Sequence, residues 1–315
     1  VVSPSQATDG PGEPGHSAAG HGAEGHGAAG HGHGAADRAG TVPDVPQFVR
    51  LAAHPLRWGL LTALAGGDLR VRELMARVDA SQNLVSYHLR LLRQGGLVTA
   101  TRSTFDGRDT YYRLDLDRCA HSLAAAGPAL HPAPSPALDP ALSPALDPAL
   151  STYGRQSPGH GVLFVCTGNS ARSPIAEALL RHRSAGRVTA TSAGTRPKTA
   201  LHPRAVEVLR ERYGIDIADQ RPRHLDTVRD HRFDHVITLC DRAREACPEF
   251  GDRTRRIHWS TPDPATAATA GPSGPAGAGR EIEAEADAFI RAAADIDTRV
   301  RYLLPVLSLA SEAHP

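Results

Sequence analysis

Cys166, one of four cysteines in 315 residues, stands where the apolar run "VLFVC" meets "TGNSARSPIAEALL". The run is consistent with a buried parallel strand, and "SPIAEALLRHR" reads as a helix with Ser173 at its cap and Pro174 in its first turn. Cys166 and Arg172 bracket the small-residue loop Thr167, Gly168, Asn169, Ser170 and Ala171. The backbone N–H groups of such a loop can point inward at a helix N-terminus and make an oxyanion cradle. The same field favours a thiolate, so Cys166 is expected to be ionised near neutral pH and nucleophilic. Arg172 adds a planar fork of donors for a tetrahedral oxyanion. A structural cysteine at a strand end would explain neither the arginine nor the Ser-Pro that follows.

The rest of the chain must position this loop. At 315 residues and 40% hydrophobic content there is room for two domains with real cores. A net charge of +1 names no partner. No apolar run reaches membrane-spanning length, and the first residues lack the apolar core of a signal peptide, so a cytoplasmic protein without membrane contact is expected. Cys119, Cys166, Cys240 and Cys247 are too scattered for a small secreted disulfide framework, which leaves burial, metal binding or catalysis.

Residues 1–42 are rich in Gly, Ala and His, with His16, His21, His26 and His31 evenly spaced and His33 beside them. This segment cannot bury a core and is expected to be disordered, either binding transition metals loosely or serving as a solvated tail. Residues 128–159 carry a Pro-Ala-Leu-Asp/Ser repeat, whose prolines favour an extended, semi-rigid spacer. Two ordered blocks remain, 43–127 and 160–315.

In the first block "VPQFVRLAAHPLRWGLLTALAGG" reads as a helix interrupted at Pro55, "LRVRELMARVD" as a second, and "SQNLVSYHLRLLRQGGLV" as a third. Ser81 would cap that third helix, and Leu84, Leu89 and Leu92 would line its buried face. "VTATRSTFDGRDTYYRLD" reads as a hairpin turning at Asp106-Gly107. The order is that of a winged helix-turn-helix, in which Gln82, Asn83, Ser86, Tyr87 and His88 would offer polar tips to the major groove. Through "SQNLVSYHLRLLRQGGLV" and "DGRDTYYRL" the block resembles the ArsR/SmtB family of metal- and metalloid-responsive repressors. The resemblance implies a homodimer on palindromic double-stranded operator DNA, with Arg102 and Arg108 of the wing on phosphates. "ELMARVD" lacks the cysteine pair of arsenite-sensing relatives. Asp117, Cys119, His121 and His131 lie where other relatives hold metal, so the inducer stays open.

The second block resembles the low-molecular-weight protein tyrosine phosphatase family, through the Cys166 loop, "SAGT" at 192–195, "HPRAVEVLRERYGID" from 202 and "WSTPDPA" from 259. The resemblance implies that Asp263, of the Asp-Pro pair, protonates the leaving oxygen. Phosphatases and arsenate reductases share this scaffold. Cys240, after "FDHVITL", and Cys247, in "CDRAREACP", match the second and third cysteines of thioredoxin-coupled arsenate reductases, which implies a three-thiol relay with thioredoxin as reductant and no bound cofactor. The Ala/Gly-rich stretch after Pro264 supplies no aromatic wall for a phenol ring. Asn169, Glu177 and Ser192 match potassium-holding positions of some reductases, but the fourth falls on Arg223, and no requirement for a monovalent cation is expected. The expected protein is therefore multidomain, a winged helix-turn-helix joined to an open parallel α/β sheet of low-molecular-weight phosphatase type. Its expected function is arsenate reduction to arsenite fused to transcriptional regulation. The rivals are a regulator whose phosphatase-like domain senses or hydrolyses phosphate esters, and a DNA-binding block reduced to a dimerisation module.

Overall fold

The structure, a computed structural model, describes residues 45–105, 107–130, 161–251, 253–266 and 278–312. The His-rich tail and the Pro/Ala-rich linker, with His131, lie outside the described residues.

The first block begins with helices α1 (Gln47–Ala52) and α2 (Pro55–Ala65), broken at Pro55 as its missing N–H requires. The His54 ring accepts the Leu56 N–H at 3.2 Å and caps α2. A short strand β1 (Leu69–Arg70) leads into α3 (Val71–Val78), whose start is closed by the Arg70 N–H donating to Glu73 Oε2 at 2.8 Å. The third helix, α4, is Gln82–Gln94. Ser81 occupies its N-cap without a side-chain cap bond, contrary to expectation. Leu84 faces outward at 45% exposure, while Val85, His88, Leu89 and Leu92 face inward on the Leu60, Leu64 and Leu74 core. Strands β2 (Val98–Arg102) and β3 (Thr110–Leu114) pair antiparallel, and β1 adds to the other side of β3. The wing connection is Ser103 to Asp109, closed by the Ser103 N–H on the Asp109 carbonyl at 2.8 Å, rather than a two-residue turn. α5 (Leu116–Leu130) extends three residues into the stretch read as linker.

The second block is a four-stranded parallel sheet in the order β5-β4-β6-β7, from β4 (Gly161–Cys166), β5 (Thr189–Gly194), β6 (His235–Thr238) and β7 (Arg255–His258). Every residue of β4 is buried, the pattern of a strand covered on both faces. Around the sheet lie α6 (Arg172–Arg183), α7 (Pro203–Tyr213), a 3-10 turn (Leu225–Val228), α8 (Asp241–Ala246) and α9 (Ala278–Glu312). No helix among the described residues is long and apolar enough to cross a membrane.

The two blocks pack on each other within one compact unit. Asp68, after α2, receives both Arg299 Nη atoms of α9 at 3.1 and 3.0 Å and the Ser260 N–H at 2.7 Å, and all of these groups are buried. Arg113 reaches both Asp295 oxygens at 3.0 Å, and the Tyr111 and His258 rings lie 4.7 Å apart. Gly67, with a φ of 141°, lets the backbone approach so closely that a Cβ there would sit 3.1 Å from the His258 carbonyl.

Candidate active site

Cys166 ends β4 at the C-terminal edge of the sheet, where open α/β folds bind ligands. The loop after it is shaped from outside by residues 195–202. The N–H groups of Thr195, Arg196, Lys198 and His202 donate to the carbonyls of Cys166, Thr167, Gly168 and Ser170 at 3.2, 2.8, 2.9 and 2.8 Å. With its carbonyls engaged there, the loop has its N–H groups left for the interior: among the described residues none from Thr167 to Arg172 donates to backbone. Asn169 has a left-handed φ of 43°, a conformation Asn tolerates better than most residues, and its side chain pins the loop. Its Nδ2 donates to Ser173 Oγ at 3.0 Å and Ser192 Oγ at 2.9 Å, and its Oδ1 accepts the Arg223 N–H at 2.8 Å. Gly194 is required for close approach, since a Cβ there would stand 2.8 Å from the Thr167 carbonyl oxygen.

Ser173 does not cap α6. Ala171 is the N-cap, and the Ser173 hydroxyl lies 3.0 Å from Cys166 Sγ, directed at the sulfur instead of at a terminal N–H. Arg172 is buried, donates from Nη1 to the Thr261 carbonyl at 2.9 Å and pairs through Nη2 with Asp263 Oδ2 at 2.7 Å. The cradle's guanidinium and the Asp-Pro carboxylate thus meet although 91 positions separate them.

Cys240 is buried beside this loop, its Sγ 3.3 Å from Thr167 Oγ1. Burial and the neighbouring Cys166 push its thiol up against the pull of Arg172. Cys247, at the far end of α8, is also buried, and burial pushes its thiol up to about 11, only partly offset by Arg256. All four cysteines are free thiols. Between the pair, Asp241 gathers a network that sequence alone did not reveal. Its carboxylate accepts from Ser260 Oγ at 2.7 Å, His258 Nε2 at 3.1 Å, and the Thr104 N–H and Oγ1 at 2.7 and 3.0 Å. Burial opposes its ionisation, but these bonds outweigh burial and hold the carboxyl well below the usual range.

Glu177 is fully buried; Arg181 Nη2 lies 2.9 Å from its Oε1 without hydrogen-bond geometry, and neither carboxylate oxygen has a hydrogen-bond partner among the described residues. It is the Arg223 backbone, through its bond to Asn169, that serves the loop.

On α4, Gln82, Asn83 and Tyr87 are exposed and Ser86 half-buried. His88 is not a surface tip: it is 4% exposed, its ring 4.4 Å from that of His54, and burial lowers its pKa, with His54 and Arg57 adding to the effect. It sits one helical turn from Val85 and Leu92, on the core face. Arg102 and Arg108 are exposed on the wing. The suggested metal ligands are separately engaged. Cys119 Sγ points at the Leu97 carbonyl at 3.8 Å, His121 Nδ1 meets the Asp117 carbonyl at 2.7 Å, and the Asp117 carboxylate takes Tyr302 OH at 3.2 Å. No cluster of three or more His, Cys, Asp or Glu with metal-holding geometry occurs among the described residues.

The model of the low molecular weight phosphotyrosine protein phosphatase family matches residues 161–306, and that of the bacterial regulatory protein arsR family matches residues 54–100. The arsenate reductase of Bacillus licheniformis is 40% identical over 106 residues, which cover 34% of this chain and 75% of that protein. Among solved structures, the YwlE arginine phosphatase from Geobacillus stearothermophilus is 26% identical with a TM-score of 0.38, covering 50% of this chain and 98% of its own. A thioredoxin-dependent arsenate reductase from Corynebacterium glutamicum is 24% identical with a TM-score of 0.37, covering 80% of this chain and 98% of its own.

Proposed function

Since the chain belongs to the low molecular weight phosphotyrosine protein phosphatase family, with an ArsR-type helix-turn-helix ahead of an arsenate reductase-like domain, we propose that it reduces arsenate to arsenite with three of its own thiols and regulates transcription through the first block. The observation that carries the reading is the placement of Cys240 Sγ against Thr167 of the cradle, beside Cys166, with Cys247 closing the same short helix.

In this reading the Cys166 thiolate attacks arsenic, the cradle N–H groups and Arg172 hold the oxyanion, and Asp263 gives a proton to the departing oxygen. Cys240 then attacks Cys166 Sγ. The S–As bond breaks with its electron pair staying on arsenic, which leaves as arsenite, and a Cys166–Cys240 disulfide remains. Cys247 attacks Cys240 Sγ, Cys166 departs as thiolate, and the two electrons are finally returned to the Cys240–Cys247 disulfide by thioredoxin. The first block would bind operator DNA as a homodimer, with Gln82, Asn83, Ser86 and Tyr87 toward bases and Arg102 and Arg108 on phosphates.

The same cradle also suits a phosphate monoester, so hydrolysis is the competing activity. The deciding experiment is arsenite production by the purified protein with thioredoxin, its reductase and NADPH. Multiple turnovers are expected, abolished in Cys166→Ser. Cys240→Ser should release no arsenite yet keep any weak aryl phosphatase activity. Robust phosphotyrosine hydrolysis with no arsenite formed would overturn the reductase reading.

A further inference from the structure

The helix between the two resolving cysteines is also a surface on which the DNA-binding block rests. α8 has six residues, Asp241–Ala246, with Cys240 as its N-cap and Cys247 as its C-cap. Asp241 accepts the N–H and hydroxyl of Thr104 in the wing connection. Arg242 lies over the Phe105 ring at 5.5 Å. Arg244 pairs with Glu73 of α3 and stands over the Tyr111 ring at 5.2 Å, and Glu245 accepts Arg70 Nη1 at 3.0 Å. One turn and a half of helix thus holds the wing tip, strand β3 and the helix that precedes α4.

A helix rises about 1.5 Å per residue, so α8 keeps the Cα atoms of Cys240 and Cys247 about 10 Å apart. A disulfide requires roughly 4.4–6.8 Å. Helical α8 and a Cys240–Cys247 bond therefore exclude each other. The α8 side chains that hold the wing connection and α3 lie within the segment that must give way, and Asp241, next to Cys240, hydrogen-bonds the wing, while the Asp68–Arg299 and Arg113–Asp295 contacts lie outside it.

We propose that closing the Cys240–Cys247 disulfide unwinds α8 and lets go of the wing and α3, so that reductase turnover is passed to the DNA-binding block inside one chain. The inference rests on the three-thiol reading above, which supplies the oxidant: arsenate takes two electrons from the Cys240 and Cys247 thiols by way of Cys166, and a dithiol reductant returns them. Because coupling is reciprocal, the docked wing must in turn resist disulfide closure. Thr104→Ala, which deletes one of the two bonds from the wing to Asp241, should shift the thiol–disulfide equilibrium toward the disulfide. A tenfold shift corresponds to about 30 mV for this two-electron couple.

The test is amide hydrogen exchange on the full chain, reduced and after one turnover with arsenate in the absence of thioredoxin, with the disulfide located by peptide mapping. A parallel sample is oxidised with diamide, a dithiol oxidant that needs no arsenate chemistry. Peptides covering 70–78 and 98–114 should exchange at least tenfold faster once Cys240 and Cys247 are joined, while peptides covering 84–92 in the core of the first block keep their protection. Cys247→Ser treated with arsenate should stop at the Cys166–Cys240 bond and keep the wing protected. If the joined pair leaves the wing protected, if the Cys247→Ser intermediate already loses that protection, or if diamide cannot join the pair, the coupling is wrong. Should diamide produce both the bond and the exposure while arsenate produces neither, the coupling stands and the arsenate relay is what fails.

Discussion

Asp68→Ala should loosen the two blocks, and the cost can be worked from the groups it strands. Both carboxylate oxygens of Asp68 take the Arg299 guanidinium, and Oδ2 also takes the Ser260 N–H. Asp68 is 3% and Arg299 6% exposed, so removing the carboxylate leaves a charge without its main partner in a site closed to water. Breaking a buried pair in this way costs about 3–5 kcal/mol, and an orphaned N–H about 1–3 kcal/mol. Asp295 remains 3.3 Å from Arg299 Nε and softens the loss. We expect about 4 kcal/mol, nearly a thousandfold in the ratio of docked to undocked protein. Arg299 lies 5.6 Å over the ring of the buried Trp259, so tryptophan fluorescence during urea titration reads the site directly. The variant should show an early transition before the main one. Adding Arg299→Met should restore about 2 kcal/mol or more, because an apolar side chain no longer needs the missing carboxylate. A cost below about 1 kcal/mol for Asp68→Ala, or a double variant as weak as the sum of the two single ones, would refute the account of the interface.

Gly194→Ala would drive a methyl to 2.8 Å from the Thr167 carbonyl oxygen, displacing the cradle, and should lower kcat/KM on the order of 100-fold in the arsenate assay; an unchanged rate would mean the loop need not be held. Burial raises the Cys247 thiol to about 11, so turnover limited by its attack on Cys240 should rise roughly tenfold per pH unit from 7 to 9, and a flat profile would place the slow step elsewhere. The same raised pKa favours the protonated folded protein, so this share of stability is intact below about pH 9 and lost between 9 and 11, measurable as a falling Tm that Cys247→Ala flattens. His88 is lowered by burial, so its contribution is complete above about pH 6.5 and declines as pH falls below it; His88→Ala should lower Tm, while Gln82→Ala and Asn83→Ala should leave Tm alone and weaken sequence-specific DNA binding in a gel shift.

The strand, loop and helix around Cys166 and Arg172 were legible because they are contiguous, and a strand that runs into a helix leaves a loop between them little freedom. Asp263 was reached only through family resemblance, and its contact with Arg172 is the product of tertiary folding. The Asp241 network and the Asp68–Arg299 pair were not legible, because they join residues 137 and 231 positions apart, with no period or spacing to announce them. The misplacement of His88 and Leu84 has a different origin. Val85, His88, Leu89 and Leu92 follow the i, i+3, i+4, i+7 rule of one buried helical face, so the period placed His88 inside while its polar identity suggested the surface. Periodicity is the better guide there: the ring packs tilted against His54 on the core face, and its Nδ1 is buried without a hydrogen-bond partner among the described residues.

If α8, which lies between Cys240 and Cys247 and holds the wing, also serves the proposed thiol chemistry, the quantity reported to the promoter would be a flux rather than a concentration. A repressor that binds its inducer reads how much is present at equilibrium; a wing released by disulfide closure would read how fast each copy is oxidised by arsenate relative to how fast reductant restores its thiols. A cell rich in reductant would need more arsenate to hold the same fraction of wings undocked. Catalyst and sensor would share one chain, so that reading would require no diffusing messenger.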